Sequence, residues 1–208
     1  MDAVPRIRAA RWADKDHVAA LIADALHPSP LATWLVPDRA PRRRILTDVL
    51  GIWVEHAMFY GDIHLTDAAA TVGFHRYRSI PPPANYQMRL ADAAGPHTDR
   101  FDILDRSIAE ARPTEPHYEL AFLAVRPSDQ GTGHGSAILA HHRSRLDHVN
   151  LPSWTSTTSA RSLYSRHGYT PRPPIILPGG PTLHPMRRNP ESARERLSVI
   201  TVRESRSA

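Results

Sequence analysis

One segment constrains this chain more than any other: an apolar strand that runs into a glycine-rich turn and on into a helix. Residues 117–125 read HYELAFLAV, a strand by its β-branched, aromatic and apolar content. Arg126-Pro127-Ser128-Asp129 turns the chain, and Gln130-Gly131-Thr132-Gly133-His134-Gly135-Ser136 leads into a helix that reaches about His148, with Ile138, Leu139 and Leu146 on its buried side. Glycine tolerates positive φ and lets backbone approach a ligand closely, and the first amides of a helix have no partner within it. A turn of this kind is an anion site, and a pyrophosphate suits it; each charge-assisted bond contributes about 1.5–3 kcal/mol.

Three phosphate-binding patterns compete for the turn. A P-loop needs Gly-Lys-Ser/Thr, and no lysine lies here. The dinucleotide fingerprint wants Gly or Ala where Ser136 stands, and it belongs to the first βα unit of a chain. The pattern Gln/Arg-x-x-Gly-x-Gly/Ala is met by Gln130, Gly133 and Gly135.

Composition narrows the classes. The chain has 208 residues, 41% hydrophobic and 23% charged, which suits one α/β or α+β domain, or one domain and a tail. There is no cysteine, which excludes disulfides, zinc-thiolate sites and a Cys nucleophile. The N-terminal stretch lacks a signal-peptide core and no run approaches 18 apolar residues, so the expected location is the cytoplasm, with no membrane span. Lys15 is the only lysine, so the net charge of +5 is carried by arginine. The densest basic run, Arg42-Arg43-Arg44, has no interleaved aromatics for base stacking and reads as a solvated face, which argues against nucleic acid. His134, His141 and His148 recur every seven residues on one helix, about 10 Å apart, too far to share a metal ion.

The rest of the chain alternates readable elements. Residues 5–10 suggest a short strand, Asp14 to Leu26 a helix closed by His27-Pro28-Ser29-Pro30, and 31–36 a short helical piece. Asp38 is placed to cap a longer helix through Met58. After Gly61, two strands form a hairpin around Asp67, Pro81–Pro83 break the chain, and helices follow at about 85–93 and 99–111. Beyond the glycine turn, 151–157 is a strand, 159–167 a short helix, Gly168-Tyr169 the start of a strand and 182–187 a last one. The domain is expected over 1–188, with 189–208 an Arg/Ser-rich tail in which LSVITV could pair locally.

The stretch LAFLAVRPSDQGTGHGSAIL resembles the coenzyme-A-binding core of the GCN5-related N-acetyltransferases (GNAT). So does SARSLYSRHGY, which stands where that family has a helix with a tyrosine just before Gly-Phe. The resemblance covers about 117–169, and within the family it is most similar to the puromycin N-acetyltransferase branch and related small-molecule or antibiotic acetyltransferases. It implies an α/β (α+β) GNAT fold, with a central mixed, mostly antiparallel sheet flanked by helices and splayed between the fourth and fifth strands. It implies acetyl-CoA as acyl donor and a small-molecule amine as acceptor, in a monomer or homodimer. A protein or peptide acceptor, or an acyl-CoA sensor without chemistry, are the alternatives.

Carried over residue by residue, the resemblance puts the pantetheine arm along Leu123, Ala124 and Val125, with the Leu123 amide on the thioester carbonyl. The amides of Gly131, Thr132, Gly133, His134, Gly135 and Ser136 would cradle the pyrophosphate, with side-chain contacts from Gln130 and His134, the latter equally readable as solvated. Tyr164 matches the tyrosine that protonates the departing thiolate; a phenol with pKa near ~10 holds its proton at neutral pH. Glu119 matches a strand carboxylate that serves as base in one branch. Strand alternation places Glu119, Ala121, Leu123 and Val125 on one face, and an apolar cleft suits a carboxylate that moves protons. A solvent-facing or arginine-paired glutamate is the plain alternative, and His75 and His117 are further candidate bases. Thr157 departs from the family's usual asparagine and Tyr169 from its phenylalanine. Trp34, Phe59, Tyr86, Phe101 and Pro81–Pro83 could line an acceptor pocket.

Overall fold

The computed structural model describes residues 6–191. In chain order these form β1 (Arg8–Ala9), α1 (Lys15–Leu26), α2 (Pro30–Leu35), α3 (Arg39–Tyr60), β2 (Gly61–Leu65), β3 (Ala69–Arg76), α4 (Tyr86–Ala94), α5 (Thr98–Ala111), β4 (His117–Val125), α6 (His134–His148), β5 (Ser153–Thr157), α7 (Arg161–Arg166), β6 (Thr170–Pro171), β7 (Ile175–Ile176) and β8 (Thr182–Arg188). The strands make one mixed sheet in the order β1-β2-β3-β4-β5-β8-β6, with β7 paired to β8 off that path. Every pairing is antiparallel except β4 with β5. β7 has no counterpart in the sequence reading: two residues flanked by prolines are too short to show a period. The LSVITV segment lies outside the described residues.

Local chemistry accounts for the ends. Ser29 accepts from the Ala32 amide and Asp38 from the Ala40 amide, so each caps its helix as such residues do. The arginine run is no uniform solvated face. Arg42 is buried and donates to the carbonyls of Val36 and Pro37, each at 2.7 Å, which ties α3 to the loop before it. Arg43 pairs with Asp24 and Arg44 with Asp48.

Helices cover both faces of the sheet. On one, α1 and α3 bury Val18, Ile22, Leu46 and Val49 against Ile63, Val72, Phe74 and Ala124. On the other, α6 and α7 bury Leu139, Leu146 and Tyr164 against Tyr118, Leu120 and Met186.

Strand β4 changes face part-way along, and this corrects the alternation expected for it. Val72 of β3 stands opposite Phe122, but the next residue, Gly73, stands opposite Leu120, so Ala121 is an extra residue on β4. Tyr118, Leu120 and Leu123 therefore pack toward α6, while Ala121, Phe122 and Ala124 pack toward α1 and α3. A Cβ on Gly135 of α6 would lie 3.3 Å from Val125 Cγ2 and 3.8 Å from Leu123 Cδ2, which confirms the α6 face for both. Glu119, between Tyr118 and Leu120, is on the opposite face from Leu123 and Val125.

Between β2, β3 and α6 lies a buried polar cluster that makes the fold acid-sensitive. Asp62 accepts from the Tyr118 hydroxyl and, at 2.8 Å, from Arg145 Nη2. Burial works against the Asp62 charge, but these two donors outweigh it and hold its pKa below the usual range. Burial pushes His64 down to about 4 and His142 down to about 3, so both are neutral in the fold. Depressed histidines contribute stability above their unfolded pKa of about 6.5, and that stability is lost as pH falls toward the folded values. Asp105, raised to about 6 by burial, works in the opposite sense and offsets part of this between about pH 4 and 6. For His142 the loss by pH 4 is about 3 kcal/mol. Thermal unfolding followed by circular dichroism should show Tm falling steeply from pH 6.5 to 4, and His142→Leu should make that fall shallower. An unchanged slope would mean that His142 does not titrate with unfolding.

Candidate active site

The parallel pairing of β4 with β5 is short. Tyr118, Glu119 and Leu120 pair with Ser153, Trp154 and Thr155, and there it ends. β4 continues beside β3 to Val125, and β5 beside β8 to Thr157, so the two strands part after Leu120. The Thr155 hydroxyl closes the fork by donating to the Leu120 carbonyl at 2.9 Å.

The open edge of β4 presents its amides to this fork. The Arg126 amide bonds to Ala68 on the β3 side, and strand amides alternate in direction, so those of Leu123 and Val125 point away from β3 and into the fork. The Val125 carbonyl points the same way and accepts from Gln130 Nε2 at 3.1 Å. Gln130 is thus occupied in holding the turn against the strand, in place of the ligand contact expected of its side chain.

The glycine turn follows a single 3-10 turn at Pro127–Asp129. Gly131 and Gly133 sit at φ of 80° and 96°, where a side chain would be strained, and nothing lies within 4 Å of a Cβ on either. Thr132 Oγ1 donates to the Asp129 carbonyl at 2.6 Å and braces the loop. Among the described residues, no amide from Gly131 to Ser136 has an acceptor, and Gly133 supplies no side-chain cap. His134 Nδ1 is buried there without a partner, and Ser136 Oγ lies 2.7 Å from His167 Nε2. A run of unpaired amides in open space, beside an edge that offers two more, suits a ligand with a pyrophosphate and an amide-bearing arm.

Tyr164 reaches the same fork from α7. It is buried against Leu120, Leu139 and Leu123, with the Tyr169 ring edge-on at 5.4 Å. Its hydroxyl lies beside Thr155, and burial pushes its pKa up to about 12. Thr157, the departure noted in the sequence, accepts from the Ala160 amide at 3.0 Å and so caps the turn that carries Tyr164.

Glu119 sits one residue before the fork, on the other face. It is 4% exposed, and its surroundings are ionic where an apolar cleft was expected. Arg76 Nε donates to Oε2 at 2.7 Å, and Arg112 donates to Oε2 at 2.9 Å and to Oε1 at 3.1 Å. Both oxygens are engaged, by three donors in all. The sequence showed Glu119 but not its partners: Arg76 and Arg112 resemble any other arginine in an arginine-rich chain until the sheet brings them together. Nor do the candidate pocket residues share one pocket. Phe101 is core, Trp34 packs over Gly180 next to β8, and Phe59 with Pro81–Pro83 lines a surface groove of about 380 Å³.

Comparison with known proteins agrees with this geometry. Residues 102–171 match the model of the family described as acetyltransferase (GNAT) domain. Over that stretch the chain is similar to a GNAT acetyltransferase domain. The matched stretch runs from within α5 through β4, the glycine turn, α6, β5 and α7 to β6. Solved structures with the same fold include "histone acetyltransferase HPA2 and related acetyltransferase" from Corynebacterium glutamicum, 23% identical, TM-score 0.70, over 90% of this chain and 97% of that one. Arylalkylamine N-acetyltransferase 2 from Aedes aegypti is 11% identical, TM-score 0.60, over 89% and 99%. The Drosophila melanogaster polyamine N-acetyltransferase, which forms N-acetylagmatine, is 14% identical, TM-score 0.54, over 88% and 99%. At these identities the likeness is one of fold. The mixed sheet and the parting of its parallel pair are the features that the resemblance implied.

Proposed function

We propose that this chain transfers an acetyl group from acetyl-CoA to the amine of a small molecule by direct attack, with residues 1–188 as the working domain. The observation that carries the reading is the convergence at one fork of three groups. These are the free Leu123 and Val125 amides, the unpaired amides from Gly131 to Ser136, and the buried Tyr164 hydroxyl.

Bound acetyl-CoA supplies a thioester, whose acetyl carbon the amine nitrogen attacks. Gly131 to Ser136 hold the pyrophosphate at the N-terminus of α6, where amide donors and the helix dipole both favour negative charge. Ala124 and Val125 keep the pantetheine arm along the strand edge, and the Leu123 amide polarises the thioester carbonyl. As the carbon–nitrogen bond forms and the carbon–sulfur bond breaks, Tyr164 gives its proton to the departing sulfur. The proton lost by the amine then restores the phenol. No acyl-enzyme is needed, and the chain has no cysteine to form one. Relatives in fold act on agmatine and arylalkylamines, which supports a small acceptor.

The test is CoA release on incubation with acetyl-CoA and a panel of aminonucleoside, aminoglycoside, arylalkylamine, amino-acid and peptide amines, with mass spectrometry for one added acetyl group. A small-molecule product is expected. Turnover confined to peptides would replace the acceptor class, and acetyl-CoA binding without any product would favour a sensor. Gly133→Val should weaken CoA binding by about 100-fold in calorimetry, because a β-branched residue cannot hold φ near 96° and the cradle collapses. Unchanged affinity would remove the turn from the site.

A further inference from the structure

We propose that the acceptor carries a carboxylate close to the amine that is acetylated, and that Arg76 and Arg112 recognise it; this rests on the transferase reading above. Two guanidinium groups share the single carboxylate of Glu119 through Arg76 Nε and through Arg112 Nε and Nη2. That leaves Arg76 Nη1 and Nη2 and Arg112 Nη1 without a partner among the described residues. Neither arginine has another carboxylate within 4 Å there. The side chains are only 16% and 23% exposed. Asp105, which feels both Arg112 and Glu119, is engaged by the Tyr86 hydroxyl. The two arginines therefore keep donors that no carboxylate among the described residues occupies.

Their position gives these donors a use. Glu119 pairs with Trp154 one residue before β4 and β5 part, on the face away from α6. The unpaired amides of the glycine turn belong to the N-terminus of α6, so an acceptor that approaches from the other face meets the two arginines beside the closed base of the fork. A planar guanidinium with two free nitrogens matches a carboxylate in a bidentate pair, and two half-buried guanidiniums repel a polycation. Glu119 acts as the positioning residue that holds both guanidinium planes.

Matched acceptors that differ only by a carboxylate test this: tryptophan against tryptamine, arginine against agmatine, and glycine against methylamine. The carboxylated member of each reacting pair should have at least a tenfold higher kcat/KM, expressed in KM. Arg76→Gln should remove that advantage while changing KM for the amine alone by less than threefold, and Arg76→Lys should keep part of it. A preference for the decarboxylated member, or an equal loss for both, overturns the proposal. Binding by CoA-saturated protein is followed separately by NMR titration with N-acetylglycine and N-methylacetamide, each small enough for any acceptor cleft. N-acetylglycine should bind more tightly, and the difference should vanish in Arg76→Gln; equal binding overturns the proposal even where no panel amine reacts. Failure to bind acetyl-CoA would instead overturn the transferase reading itself.

Discussion

Tyr164→Phe should lower kcat by about 100-fold or more while leaving acetyl-CoA affinity within threefold, because removal of a positioned general acid costs about 10²–10⁴. The substitution deletes one oxygen from a buried ring and leaves its packing on Leu120, Leu139 and Tyr169 in place. Thr155 keeps its bond to the Leu120 carbonyl, so the fork stays closed at its base. Stability should therefore change by no more than about 1 kcal/mol, the usual worth of one neutral hydrogen bond. The pH dependence separates a chemical role from a packing one. With its pKa pushed up to about 12 by burial, Tyr164 stays protonated across the whole assay range, so no basic limb in kcat below about pH 11 should belong to it. Single-turnover acetyl transfer measured against pH for both proteins decides the matter: an unchanged kcat would leave Tyr164 as a core residue only.

Gly61→Ala should cost more than about 4 kcal/mol and leave little soluble protein, the range in which steric overpacking becomes diagnostic. Gly61 begins β2 opposite Phe74, and a Cβ there would lie 1.8 Å from the Gly73 carbonyl oxygen and 2.8 Å from the Gly73 carbonyl carbon. Those are backbone atoms of the neighbouring strand, and they can move only if the β2–β3 register is disturbed. The same strands carry Asp62 and Phe74, so the disturbance spreads to the Tyr118–Asp62–Arg145 cluster and to the core on the other face. Gly51→Ala is the control: it lies within α3 with nothing within 4 Å of a Cβ, and it should gain up to about 1 kcal/mol from helix propensity. Tm values and soluble yields of the pair test the claim. A Gly61→Ala protein with native Tm would mean that the strands approach less closely than described.

The difference between these glycines shows where sequence reasoning stops. Gly131 and Gly133 are legible because they belong to a local device, a strand, a turn and a helix start within twenty residues, whose geometry follows from their own φ preferences and from the unpaired first amides of a helix. Asp38 and Ser29 are legible for the same reason, since a cap is a bond between near neighbours. Gly61 and Gly73 offer no such signal: what excludes a side chain at one is the backbone of the other, and at the other the Tyr118 ring, contacts made only when distant strands meet.

The surroundings of Glu119 follow the same division. Period and motif placed Glu119 on a strand near Leu123 and Val125, but a single extra residue at Ala121 put it on the opposite face, because side-chain direction alternates with every residue and one bulge inverts the count. The charges that meet Glu119 come from Arg76, 43 positions away, and Arg112, seven positions away. The sequence by itself determined the order of the elements, the glycine turn and the tyrosine-bearing helix, all built from bonds between residues close along the chain. Only the tertiary structure decided which face each side of β4 serves, where the parallel strands part and which charges surround Glu119, because those depend on register and packing between segments that no local preference connects.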